Sequence, residues 1–143
     1  MCGRFENRIR EDWMMEKFAE FNVNIFFRTI DTLRKKENIA PTNSILTFTK
    51  DDSDILANTN KGGIKFAADS PLIFNLRIET ITAKPFWKML FDMNRCLIPM
   101  SAFYEWKKVD TKKIPYRISL RIMKCFSSHG CITRVRKGIS SYL

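Results

Sequence analysis

A chain of 143 residues with 45% hydrophobic and 13% aromatic content is one domain's worth of sequence, long enough to bury a core. No apolar run approaches the roughly 18 residues of a membrane span, and the start lacks the basic-then-apolar layout of a signal peptide, so a cytoplasmic protein with reduced thiols and no membrane contact is expected. The net charge of +10 is gathered late: beyond Asp110 there is no acid, while eight of the 25 basic residues lie there, leaving 17 against the 15 acids before it. A basic balance points to a polyanion such as nucleic acid, with most of that signal in the last quarter.

The most specific chemistry opens the chain, in Met1-Cys2-Gly3-Arg4-Phe5. Removal of Met1 would leave Cys2 with a free α-amine and a thiol on adjacent carbons. Such an aminothiol condenses with an aldehyde to an imine and then closes a thiazolidine ring, which is covalent capture aimed at carbonyl carbon. The plainer reading is that position 2 merely follows a start codon. Cys2, Cys96, Cys125 and Cys131 do not form a disulfide framework. Cys125-x3-His129-x-Cys131 lacks a fourth ligand, so no metal and no cofactor are expected.

Met14, Phe18, Phe21 and Ile25 recur at helical spacing between acidic residues, which predicts an amphipathic helix over about 11–22 with its apolar stripe inward. Asn38-Ile39-Ala40-Pro41-Thr42 breaks the pattern, since Pro41 fixes its own backbone and extends Ala40. Strands are predicted at Ile45–Thr49 and Ile55–Ala57, with a turn cluster at Asn58–Gly63. Leu72 to Ile81 reads as a strand with Asn75, Arg77 and Glu79 on one face, which by itself is most simply a solvated face. Pro85 to Phe91 suits a short helix carrying Phe86, Met89 and Leu90 inward.

Two apolar runs follow, Cys96-Leu97-Ile98-Pro99 and Phe103-Tyr104-Glu105-Trp106. Glu105 between two aromatics either points outward on an alternating strand or is a partly desolvated carboxyl group suited to moving protons. Val109–Lys113 is a charged turn, and Ile114–Leu120 the returning strand of a hairpin. Arg121–Leu143 shows no periodicity and no acid.

Together, the opening pentapeptide, Asn38–Thr42, Asn75-Leu76-Arg77-Ile78-Glu79-Thr80 and Arg95-Cys96-Leu97-Ile98-Pro99 through Phe103-Tyr104-Glu105-Trp106-Lys107 resemble the SOS-response-associated peptidase family, the abasic-site-processing proteins that shield damaged single-stranded DNA. The resemblance runs from residue 1 to about Leu120. Strand alternation supports an α+β class, and the resemblance implies a mainly antiparallel, barrel-like sheet with flanking helices. It further implies a monomer acting on abasic sites in single-stranded DNA, with an autopeptidase label tied to removal of Met1. By similarity Cys2 is the crosslinking nucleophile, Asn75 orients the sugar or the Cys2 amine, and Glu105 shuttles protons. Arg4 and Arg77 hold flanking phosphates, Pro41 shapes the pocket, and Glu79 is structural first.

Two departures stand out. Gly62-Gly63-Ile64 occupies the place of a W-G-[LIV] segment, so an aromatic that stacks on nucleic acid is replaced by Gly62. The C-terminal H-x-R-M-P motif is not matched by His129 in Ser127-Ser128-His129-Gly130. Residues 1–120 are therefore read as the N-terminal part of the family domain, and 121–143 as an unmatched basic tail resembling a frameshift product. The alternative is a non-catalytic single-stranded DNA-binding remnant; a protease acting on proteins has little support, as no Ser-His-Asp arrangement is visible.

Overall fold

The computed structural model describes residues 3–28, 36–121, 126–134 and 140–142. Strand β1 (Arg4–Asn7) leads into helix α1 (Glu11–Glu20), then β2 (Ile25–Phe27), β3 (Lys36–Ile39), β4 (Ser44–Asp51) and β5 (Asp54–Gly62). An irregular stretch and a 3-10 turn at Ile81–Ala83 precede α2 (Pro85–Met93), followed by β6 (Arg95–Met100), β7 (Ala102–Val109), β8 (Lys112–Ile118), β9 (Phe126–Arg134) and β10 (Ser140–Tyr142). The class is α+β, as expected, and the pairing is mainly antiparallel. The strands divide between a four-stranded sheet, β3-β1-β7-β8, and a six-stranded one, β10-β9-β6-β4-β5-β2, rather than forming one barrel-like sheet. Strand β5 also takes parallel partners, β2 along Ile25–Phe27 and β10 at its far end.

The helix read from Met14 and Phe18 forms over Glu11–Glu20, with Glu11 and Asp12 in its first turn where the helix dipole favours acids. Its Met14, with Trp13 and Phe18 beside it, packs on Leu46, Phe48 and Ala57 of the larger sheet. Strand β4 is buried along Ile45–Phe48 because α1 covers one face and the smaller sheet approaches the other. Ile39 and Ile45 join Cys96, Ile98 and Met100 in a second core, against which Phe5 and Phe103 of the smaller sheet pack. That contact fixes β1 and β7 relative to β4 and β6.

Three sequence expectations are corrected. The turn cluster at Asn58–Gly63 is strand as far as Gly62, because buried Asn60 donates to Thr47 Oγ1 across the β4–β5 pair, satisfying both polar groups. Leu72–Ile81 is not a strand: it makes one bridge, Ile73 to Ile64, and then turns, and among the described residues no strand pairs with residues 74–80 to take its backbone hydrogen bonds. In α2 the inward residues are Trp87 and Leu90, while Phe86 and Met89 face outward. The aperiodic residues after Leu120 include β9, which pairs with β6 from Arg95–Cys131 to Met100–Phe126. Backbone pairing of that kind does not need alternating side chains.

Gly63 sits at φ +77°, and a Cβ there would lie 2.8 Å from Leu72 Cδ1 and 3.2 Å from the Ile73 carbonyl oxygen. Gly63→Ala is expected to cost about 1–2 kcal/mol, the usual penalty of left-handed backbone for an L-residue. Urea unfolding of the variant checks this; an unchanged midpoint would contradict the geometry.

Candidate functional site

Strand β1 is the second strand of the smaller sheet, held on one side by β7 and on the other by β3. Its register pairs Arg4 with Tyr104, Phe5 with Phe103 and Glu6 with Ala102; across β3, Phe5 pairs with Ile39. Alternation sends Phe5 into the core and turns Arg4 and Glu6 to the other face.

Cys2 lies outside the described residues; Gly3 is the first that can be placed. Continued by one residue, the β1–β7 register sets Glu105 across from Gly3. Continued by two residues on the other side, the β1–β3 register brings Pro41 level with Gly3. A Cβ on Gly3 would come 3.3 Å from Cε2 of Phe74, so the irregular segment that carries Asn75 passes directly over the start of β1. Asn75, Glu105 and Pro41, all half-buried, thus converge on the residue next to Cys2. Arg4 is half-buried, and its Nη1 donates to Asn38 Oδ1 at 2.9 Å. Arg77 is exposed at the start of the turn that follows, where its carbonyl accepts the Thr80 N–H. Glu79 is exposed in the same turn.

The turn holding Pro41 is tied to the larger sheet. Thr42 N–H donates to the Gly62 carbonyl, and Gly62 N–H to the Asn43 carbonyl, each at 2.9 Å. The Asn43 side chain caps the bend by accepting from Ala40 N–H at 2.8 Å. Gly62, which stands in the place of the aromatic, and Gly63 are buried at this junction.

Sequence reasoning misses the carboxylate beneath the site. Glu6 is fully buried. Tyr104 Oη donates to its Oε2 at 2.8 Å and Ser101 Oγ to its Oε1 at 3.1 Å. The Arg117 guanidinium pairs with Oε1, and Arg8 Nε lies 3.7 Å from the same oxygen. The Arg117 hydrogen bond, helped by Tyr104 and Ser101, outweighs burial and lowers the Glu6 pKa from 4.5 to about 2. The same contact raises the Tyr104 phenol and the Arg117 guanidinium. Glu6 therefore ties β1 to both β7 and β8 as an anion at neutral pH. A signal is available: Glu6, Tyr104 and Arg117 share one sheet face once the three strands are paired.

Among the described residues no group of three or more His, Cys, Asp and Glu is placed to hold a metal ion. Of the Cys125, His129 and Cys131 trio, Cys125 lies outside the described residues. No helix among those residues is long and apolar enough to cross a membrane.

The fold and site define an α+β protein whose first strand is gripped by two neighbours while a loop asparagine and a strand glutamate close on its leading end. The profile of the SOS response associated peptidase (SRAP) family matches residues 1–142. The abasic site processing protein YoaM of Bacillus subtilis (strain 168) is 34% identical over 136 residues, covering 91% of this chain and 58% of that protein. The abasic site processing protein YedK of Escherichia coli (strain K12) is 28% identical over 120 residues, covering 82% of this chain and 53% of that protein. Among solved structures, a phage-related protein from Bordetella bronchiseptica superposes with a TM-score of 0.76 at 24% identity, over 99% of this chain and 67% of that one. This chain belongs to the SRAP family, and it spans about 58% of the length of the first of these relatives.

Proposed function

We propose that this chain processes abasic sites by capturing them covalently in single-stranded DNA through Cys2, acting as a cytoplasmic monomer. The observation that carries the reading is the convergence of Asn75, Glu105 and Pro41 on Gly3, one residue from the aminothiol. Relatives named abasic site processing proteins support it. Ring-opened abasic sugar is an aldehyde. The Cys2 amine adds to its carbonyl carbon, water leaves to give an imine, and the thiol adds across the C=N bond. Sulfur joins carbon, the thiol proton ends on nitrogen, and a thiazolidine closes.

Each neighbouring residue has a part in that sequence. Glu105 delivers the proton that lets water leave. Asn75 holds the sugar or the amine in line, and Pro41 walls the pocket. Arg4 and Arg77 bind flanking phosphates, a task suited to guanidinium forks. Removal of Met1 is required first, because only a free α-amine can form the imine.

The test is denaturing electrophoresis after incubation with single-stranded DNA carrying one abasic site. A shifted band that needs the lesion and vanishes in Cys2→Ala is expected. Glu105→Gln should slow its appearance by about 10²–10⁴-fold, the usual share of a general acid-base group, with DNA affinity unchanged. Binding that disappears on denaturation, from soluble protein lacking Met1, would leave only the non-covalent DNA-binding reading.

A further inference from the structure

The β7–β8 hairpin carries a cluster of charge that the proposed chemistry does not use. Its register sets Tyr104 opposite Arg117, Trp106 opposite Pro115, and Lys108 opposite Lys113. Residues directly opposite share a face, so Lys108 and Lys113 lie on the face that carries Arg4, Glu6 and Trp106. Lys107 and Lys112 flank them, and all four lysines are exposed around the turn at Asp110–Thr111. No salt bridge to any of the four is found among the described residues.

Two like charges directly opposite on an exposed antiparallel pair repel each other and weaken the hairpin. Among the described residues, Asp110 in the turn itself is the acid at the tip. Arg117, nearer the sheet's middle, is committed to Glu6. The hairpin thus holds free cations at a cost to its own stability, which a polyanion would relieve.

Their position relative to the site is set by the same register. Arg4, on the same face, is level with Tyr104, and Lys108 lies four residues further along β7, about 13 Å at strand rise. An extended strand whose phosphate is bound by Arg4 and which runs on along this face would bring a phosphate a few nucleotides from the lesion to the lysines. Half-exposed Trp106 lies between, where a base could stack on it.

We propose that the tip of the β7–β8 hairpin, centred on Lys108 and Lys113, contacts the phosphodiester backbone of single-stranded DNA beside the captured lesion. This rests on the reading of the site as one for single-stranded DNA, but not on the covalent step. The probe is therefore an undamaged oligo(dT), its affinity measured by fluorescence anisotropy across a salt series for the full chain and for K108A/K113A. Loss of two phosphate contacts should weaken binding several-fold and reduce the slope of log affinity against log salt by about 1.4, at about 0.7 per contact. Thermal unfolding should be unchanged or slightly later, since the repulsion is removed.

Lys50→Ala, an exposed lysine on β4, is the control and should change the slope little. Equal slopes and affinities for wild type and K108A/K113A, or an equal effect from Lys50→Ala, overturn the proposal. So does absence of any oligo(dT) binding by the wild-type chain. A slope difference together with no covalent band on damaged DNA would keep the hairpin contact and reject capture by Cys2.

Discussion

Glu6→Gln is expected to lower stability by about 2–3 kcal/mol at neutral pH, and to remove the acid sensitivity that Glu6 contributes between pH 4.5 and 2. The folded-state pKa of Glu6 is depressed from 4.5 to about 2. Its contribution is therefore complete above pH 4.5 and drains away as pH falls through the folded value. The full shift corresponds to about 3 kcal/mol at 1.36 kcal/mol per pKa unit. The Arg117 side chain is 44% exposed, so solvent takes back part of the ion pair's share. Glutamine keeps an acceptor for Tyr104 but gives Arg117 no anion. Urea unfolding at pH 7 and pH 3 reads the result: the gap between wild type and variant should be wide at the first and narrow at the second. A gap of equal width at both would mean that the charge of Glu6 contributes nothing. Because Glu6 joins β1 to β7 and β8, the variant should also capture damaged DNA more slowly, as the approach of Glu105 to the chain's leading end depends on that register.

The difference between what can be read and what cannot follows the distance over which each feature is decided. Helix α1 is legible because Met14 and Phe18, with acids at Glu11 and Asp12, carry a local signal. Pro85 marks the start of α2 for the same reason. Yet the phase of that helix is not local. Its inward side is chosen by Ile64, Ile73 and Leu76, which arrive from the irregular stretch before it and favour Trp87 over Phe86. The alternation of Asn75, Arg77 and Glu79 suggests a strand, but alternation cannot supply the neighbouring backbone a strand needs. Glu6 escapes sequence reading because its partners Tyr104 and Arg117 are 98 and 111 positions away. The motif residues need none of this to be found. The resemblance names Asn75, Glu105 and Pro41; the register of β1 with its two neighbours brings Glu105 and Pro41 level with Gly3, and the approach of Phe74 brings the segment of Asn75 to the same residue.

Trp87→Ala should be the most damaging single change outside the sheets, costing about 3–5 kcal/mol. Trp87 is only 9% exposed and shares a core with Ile81 and Leu90. Its ring lies 4.7 Å from that of Phe86 and 5.6 Å from that of Phe66, centroid to centroid. Ile64, Ile73 and Leu76 pack against the same cluster, so Trp87 anchors both ends of the irregular loop and the residue on each side of Phe74 and Asn75. Removing the indole leaves a void that the loop can fill only by moving, and the segment over Gly3 moves with it. The expected functional signature is selective. Capture of an abasic site should slow markedly at temperatures where the variant is still folded, while the salt slope for undamaged oligo(dT) stays at the wild-type value, because no residue of the β7–β8 hairpin belongs to this cluster. Trp87→Phe should recover most of the stability and part of the capture rate. If Trp87→Ala unfolds with the wild-type urea midpoint, the loop is held by something other than this core. If stability falls but capture by the folded fraction is unaffected, the loop's position over Gly3 does not depend on Trp87, and Asn75 is oriented from the sheet side instead.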